Sequence, residues 1–474
     1  MHQVDLSFSS LKQTIEPEIK HLFDCGEKKI RDAAFHPAQK LIYYTAQPQD
    51  FWPNQIYAFD LLTKKHRLVS QDEPRGWGHH NIDISPNGEK LLIMSTDNDH
   101  KTQLIALDLL TNKMTQGIKL DRPVVEAIWH HDSQHVYYHA PAPAQQIIQS
   151  ELNGENAIVM VNIAQPISSQ MSRVPDGQNI VFSTEQKNLD IRWLEIPSNQ
   201  REISNSTVND TLPILFHDTE QYLITSDRDG LMQLYLSDYQ SSQTRKVTDF
   251  EQLYSIRYAS ISSDDSYVLI NADKNVYRLP IKALLGDSLL KTLSPEYIIY
   301  SSDHPIIALD WFANRGAAIT EVINGKPQLV AVDWSGQKLE LPEGKWAYGL
   351  TESAKANNTY LVEQKSNILF KLSPKKGARA TKALDDKQAI PLIESTNISL
   401  PEKSYHVKID DGILYYVTTD NSLEYLNVQP LTVQNELDSH KIQLNGFASY
   451  DVSEQKIIIS DAAAIEGDVH KAVF

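Results

Sequence analysis

The densest set of side chains that could do chemistry is WHHDSQHVYYH, residues 129–139, with histidines at His130, His131, His135 and His139. A zinc ion needs donor nitrogens converging at about 2.0–2.1 Å. His131 and His135 fall on opposite sides of a predicted turn, and side chains alternate faces along the strands that flank it. The pattern therefore predicts surface and core histidines and no metal site. DNDH (residues 97–100) and SDRDG (residues 226–230) carry oxygen ligands, yet neither completes a calcium loop. Turn formation accounts for both. Cys25 is the only cysteine, so an internal disulfide and a cysteine-cluster metal site are both excluded.

A serine nucleophile fares no better. GDSL stands at Gly286–Leu289, a pattern found around some esterase serines. That chemistry needs the serine behind the first strand of an α/β domain, with Asp and His far downstream. Ser288 instead sits in IKALLGDSLLKTL, a connection between predicted strands, and no G-x-S-x-G elbow occurs anywhere. The expectation is no catalytic residue and no cofactor. Recognition is the better-supported chemistry. Arg75, Trp77 and His79 (RGWGHH) and Trp346 and Tyr348 (GKWAYG) lie in connections that lead into apolar strands. Where such strands ring an axis, these connections line one face near the opening, and aromatic and Arg side chains there form binding surfaces. These five are the candidate ligand- or partner-binding residues, with ordinary packing between blades as the alternative. Trp129 and Trp311 precede hairpins and are predicted to fill the core.

Elements that could hold such a surface appear as a repeat. An apolar strand, a polar turn, a β-branched or aromatic strand and further strands recur along the chain. Clear copies are AAFHPAQKLIYYTA, IDISPNGEKLLIMSTDN, SRVPDGQNIVFSTEQ and ASISSDDSYVLINADKNVYRL. Equivalent turns, Pro37 to Pro86 or Asp176 to Asp218, recur about every 40–50 residues, the length of a four-stranded propeller blade. In Ser85-Pro86-Asn87-Gly88 proline presets its own φ, and Asn and Gly tolerate positive φ, so the chain reverses. LLIMS and NIVFS are continuous apolar runs, as strands buried on both faces must be. The fold class is all-β: a β-propeller of four-stranded antiparallel blades, about 8–10 repeats, as one large ring or two tandem propellers. The expected division is an N-terminal strand in residues 1–28 that closes the last blade, blades over 29–382, an irregular connection at 383–403, and C-terminal blades over 404–474. Ile19–Asp24 is the candidate closing strand, supplied to a last copy that ends one strand short.

Bulk properties narrow the partners. Of the 474 residues, 41% are hydrophobic and 22% charged, ordinary for a soluble globular chain. The formal charge is −17, from 61 acidic and 44 basic residues. Wrapping a phosphate backbone needs a basic face. The densest basic run, KKGARATK at Lys375–Lys382, reads as a solvated loop, so direct nucleic-acid binding by this segment is not expected. No stretch approaches the ~20 apolar residues of a membrane span, and MHQVDLSFSSLKQ lacks the form of an export signal. Either the chain is cytoplasmic or Met1 opens a segment of a longer protein.

One repeat carries a family resemblance. In Tyr222–Asp249, the residues Ser226, Asp227, Arg228 and Gly230 fill a hairpin, Leu234, Tyr235 and Asp238 the next strand, and Arg245, Val247 and Thr248 the last. This resembles the repeat of TolB-like propellers (WD40-like, PD40), and Ser85–Gly88 and Pro175–Gly177 match that repeat's SPDG element. The resemblance spans nearly the whole chain as a pattern, with three or four blades matching well. Such propellers occur in periplasmic Tol proteins, in peptidases of the prolyl oligopeptidase group, and in membrane-bound regulators similar to CadC. The small N-terminal domain of Tol proteins and the hydrolase domain of the peptidases are not in this sequence, and neither are the regulators' winged helix and membrane helix. What the resemblance implies is the periplasmic sensory part of such a regulator. It would be a non-enzymatic module that binds a protein partner or a small-molecule signal, reaching the membrane only through an upstream anchor. The alternatives are a TolB-like scaffold for protein assembly, a hydrolase using carboxylates at the ring's centre, and a cytoplasmic location.

Overall fold

The computed structural model describes residues 2–4, 19–26, 28–36, 38–48, 52–70, 76–97, 101–121, 124, 126–140, 144–163, 167–175, 179–195, 199–202, 208–238, 240, 243–252, 254–286, 288–313, 315–352, 358–373, 392–401, 404–420, 423–431, 439–453 and 456–472. Apart from a one-turn helix (Ile281–Leu284) and a 3-10 turn (Pro295–Tyr297), every described regular element is a strand. Among the described residues the strands build nine sheets of three to five strands and one two-stranded pair. The protein is an all-β propeller chain with four-stranded antiparallel blades. Its turns form as their residues dictate. Gly88 takes φ +75, its N–H donates to the Ser85 carbonyl at 2.8 Å, and the Lys90 N–H reaches Ser85 Oγ at 2.9 Å. No helix among the described residues is long and apolar enough to cross a membrane.

Two compact units divide the chain, residues 1–183 with 469–474, and residues 184–468. The first unit holds three four-stranded sheets whose inner strands are Lys29–His36, Gly78–Ile84 and Ala127–Trp129, followed by Ile167–Arg173 in a hairpin with the start of Ile180–Glu195. Apolar strands are sandwiched between successive sheets. Tyr43 and Ile56 of the first sheet pack with Ile82, Leu91 and Ile93 of the second. Leu92 and Met94 on the opposite face of that second sheet pack with Trp129 and Val136 of the third. A strand buried on both faces explains LLIMS as an unbroken apolar run, with each fully buried Leu or Ile contributing about 1.5–3 kcal/mol. At the N-terminus, Ile19–His21 pairs with His2–Val4, and Phe23 stacks on Phe59 at 4.1 Å. The described pairing of the candidate closing strand is thus local.

Among the described residues, the second unit is a closed ring of six blades. Their inner strands are Asp210–Leu215, Ile256–Ile261, Ile306–Phe312, Trp346–Thr351, Tyr405–Asp410 and Ser449–Ser453. Six apolar clusters fill the spaces between consecutive blades, the last joining Ile458 and Ile191 of the sixth blade to Leu215, Tyr222 and Ile224 of the first. Six blades with six interfaces leave no open edge between them. Closure comes from the chain preceding the first blade. Ile180–Glu195 joins the sixth blade beside Lys456–Ala472, and Asn199–Glu202 pairs onto it. Arg192 Nε donates to the fully buried Asp461 Oδ1 at 2.6 Å and pins that strand. The expected break at 383–403 is not where the units divide. Residues 383–391 lie outside the described residues, and Leu392–Ser399 is the outermost strand of the fourth blade. As an outer strand it is mostly exposed from Ile393 to Ile398, which is why it lacks a strand's apolar alternation.

Candidate functional site

Most inner strands of both units show one irregularity, with Ala127–Trp129 and Ser449–Ser453 pairing regularly. Pairing with the second strand slips near its start: between Ile30 and Asp32 and between His79 and Asn81 in the first unit. In the second unit it slips between Thr211 and Ile214, Ile256 and Tyr258, Ile306 and Ala308, Trp346 and Tyr348, and Tyr405 and Lys408. A β-bulge adds a residue to one strand and re-aims the side chains around it. In the second unit the bulges set Tyr258, Tyr348 and His406 toward the axis, while Arg257, the residue before Tyr258, has its Nε 3.4 Å from Ser255 Oγ of its own blade. Tyr258 of the second blade and His406 of the fifth come within 6.1 Å, ring centroid to ring centroid. These blades are three steps apart in a ring of six, so the two rings meet across the axis. Tyr405 and Phe447 flank His406 at 5.5 and 5.3 Å. His406 sits at φ +48 (uncommon without glycine), held by the Tyr450 hydroxyl donating to its carbonyl.

Burial sets the electrostatics of this mouth. It pushes the His406 imidazole down to about 4, with Lys408 adding to the effect, so the ring is neutral near pH 7. Burial, with Tyr258 nearby, pushes Tyr348 up to about 12. Burial also lowers Arg257, against opposing contributions from Tyr258 and Asp273. Further along the same inner strands lies a cavity of about 50 Å³ walled by all six blades, with Ser260, Asp310, Lys408 and Asp451 among its lining residues. That volume accommodates a few waters. Asp310, pushed up to about 6 by burial, accepts N–H groups from Trp311 at 2.8 Å and Thr351 at 3.0 Å. Asp451 accepts the Leu215 N–H at 2.8 Å and pairs with Lys408, tying the fifth, sixth and first blades together.

The first unit has a cleft of about 330 Å³ whose lining includes Asp32, Asp83, Glu126 and Arg173. Two of its carboxylates are staples between sheets. Asp32 accepts the Ile82 N–H at 2.8 Å and the Ala33 N–H at 2.7 Å. Asp83 accepts the Trp129 N–H at 2.7 Å and holds the Arg173 guanidinium, which also donates to the Trp129 carbonyl at 2.9 Å. Glu126, 4% exposed, differs. Burial pushes it up to about 8, aided by the charges of Asp32 and Asp83 and opposed by Asn81, whose Nδ2 donates to both carboxyl oxygens at 3.0 Å.

The sequence-predicted recognition residues scatter among these environments. Arg75 lies outside the described residues, as do residues 98–100 and the basic run Lys375–Lys382. Trp77 is 45% exposed and meets His80 edge-on at 6.2 Å, whereas His79 is buried. Trp346 is a core residue: its indole N–H donates to the Pro342 carbonyl at 2.9 Å and its ring packs on Phe370. The bulge between Trp346 and Tyr348 puts Tyr348 alone of that pair on the channel side. Arg257, Tyr258 and His406 escaped sequence reasoning because no turn signature marks a bulge. Trp129 and Trp311 are buried, as predicted. Ser288 is exposed in the connection after the helix Ile281–Leu284, and Arg228 of SDRDG donates to Asp210 at 2.7 Å and covers the Tyr235 ring. The histidines give a different result from the one expected. His139 is buried against Gln145 and His131 turns to the Asn179 carbonyl, yet His130 and His135 do converge, on Asp132. The turn residue Ser133 at φ +61 folds the loop back on itself.

No protein-family profile matches the sequence, and no curated protein matches it either. Among solved structures, the chain is similar to a putative TolB from Agrobacterium tumefaciens at 12% identity, covering 48% of this chain and 68% of that one, with a TM-score of 0.30. It is similar to an oligogalacturonate lyase in complex with manganese at 13% identity, over 69% of this chain and 80% of that one, TM-score 0.29. The β-propeller domain of the Trilobed protease from Pyrococcus furiosus aligns at 15% identity, over 66% and 96%, TM-score 0.25. At these TM-scores the architecture rests on this chain's own sheet order.

Proposed function

We propose that this chain is a non-enzymatic recognition module whose working surface is the channel mouth of the six-bladed ring. The observation that carries the reading is the contact of Tyr258 and His406 across the axis, with the charge of the adjacent Arg257 acting on the Tyr258 phenol. Two rings and a guanidinium at a narrow opening suit a small molecule or protein segment that presents a carboxylate on an aromatic or apolar body. Occupancy parts the two rings, and a ring of six packed blades transmits the change to its outer faces. The carboxylates of the first unit support binding over catalysis, because Asp32 and Asp83 are occupied as inter-sheet staples. Hydrolysis is the second reading. It is favoured by Glu126, a carboxyl that stays protonated near neutral pH beside an open cleft, as a general acid must.

The test is thermal unfolding of the whole chain with benzoate and with a phenylalanine-terminated tripeptide as probes. The reading expects a saturable rise in midpoint for at least one probe, lost in Arg257→Ala and in Tyr258→Ala. An equal rise in those variants, or none in the parent, refutes it. The place of the module in the cell belongs to the same proposal: the periplasmic sensory part of a membrane-anchored transcription regulator, supported by the TolB-like repeat pattern. A coding sequence with an apolar span of ~20 residues upstream, preceded by a winged-helix pattern, is the expected finding. Protein assembly without a small ligand is the alternative, and stable partners with no probe-induced shift would favour it.

A further inference from the structure

We propose that His130, Asp132 and His135 form a three-ligand site for a divalent transition cation of the zinc class, on the first hairpin of the first unit's third sheet. The hairpin is tight. The His130 N–H donates to the His135 carbonyl at 2.8 Å and the Ser133 N–H to the His130 carbonyl at 3.1 Å. One ligand atom from each of the three residues lies within 4.8 Å of the others. His130 Nδ1 is 3.1 Å from Asp132 Oδ1, and His135 Nδ1 is 2.6 Å from Asp132 Oδ2. Ligands around a tetrahedral zinc at about 2.0–2.2 Å stand about 3.3–3.5 Å apart. Side-chain adjustments of about 1 Å therefore admit the ion, and the backbone stays in place.

The Asp132 N–H donates to His130 Nδ1 at 3.1 Å, and that hydrogen bond is exchanged for the metal bond when the ion enters. The carboxylate is anchored, because Oδ1 accepts the N–H groups of Gln134 at 2.8 Å and His135 at 3.0 Å. Packing against Tyr137 at 5.0 Å orients the His130 ring. Imidazole and carboxylate donors together select zinc, copper or nickel over magnesium or calcium. Side-chain exposures of 23%, 36% and 29% leave the remaining coordination positions to solvent, which makes this an exchangeable site able to take an outside ligand and not a closed structural one.

The experiment is calorimetric titration of the whole chain with zinc chloride, with cobalt absorption as a second signal. The expected result is one tight equivalent, weakened at least about tenfold in His135→Ala and in Asp132→Asn, and unchanged in His131→Ala, whose ring turns to Asn179. No binding, or equal binding in the parent and His135→Ala, overturns the proposal. Should a variant lose its far-UV spectrum, cobalt-induced broadening of histidine ring resonances in the parent decides. Broadening at His130 and His135 supports the site, and broadening confined to other histidines overturns it.

Discussion

Replacing Glu126 with glutamine should leave stability unchanged at mildly acidic pH and raise it at mildly basic pH. Glu126 is almost fully buried and titrates at about 8, against an ordinary value of 4.5. Between those values the folded protein keeps a proton that the unfolded chain has lost. Folding is then opposed by about 1.4 kcal/mol for each pH unit above 4.5, and the loss levels off as pH passes the folded value. Raising the pH from about 5 to about 8 should therefore remove about 3–5 kcal/mol from the first unit. Glu126→Gln has no proton to lose. Its amide also suits the site, because Asn81 Oδ1 finds no partner among the described residues and accepts a glutamine N–H once the Asn81 amide turns over. The variant should match the parent near pH 5 and exceed it by about 3–4 kcal/mol near pH 8. Urea unfolding followed by tryptophan emission reads this unit through Trp129, which is buried in the adjoining strand. Histidine titrations elsewhere cancel in the difference between parent and variant. A parent-minus-variant difference that is the same at both pH values would refute the reasoning.

Three further outcomes are expected. Asp451→Ala strips the acceptor from the Leu215 N–H and the partner from Lys408, both mostly shielded, and should cost the second unit about 2–4 kcal/mol in chemical unfolding. Asp451→Asn should cost roughly half as much, because an acceptor remains. Gly316→Ala places a Cβ 1.7 Å from the Val332 carbonyl oxygen, so the third blade's central strand must part from its neighbour; a loss of at least about 3 kcal/mol, or failure to purify folded protein, should follow. The His406 ring resonances, followed by NMR, should titrate about two units below those of an exposed histidine. A midpoint near 6.5 would show that the channel mouth is open to water.

What the amino-acid sequence determined by itself is whatever depends on neighbours along the chain. Ser85-Pro86-Asn87-Gly88 specifies a reversal through its own φ preferences and short hydrogen bonds, and LLIMS announces a strand covered on both faces. The blade, its repeat and the burial of Trp129 and Trp311 followed from such local signals. Tertiary structure alone decided how the blades divide and close. Ile180–Glu195 is far in sequence from the sixth blade it completes, and nothing in its residues names that partner. Tyr258 and His406 belong to strands almost 150 residues apart and meet only because six blades bring opposite walls to one axis. Trp346 and Tyr348 look alike in sequence, yet a bulge between them sends one to the core and leaves the other on the channel. His130 and His135 converge through a left-handed turn at Ser133, a conformation that no strand periodicity encodes. Local preferences fix the turns and strands, while ring closure and bulge placement depend on the packing of distant blades, and the candidate sites depend on those.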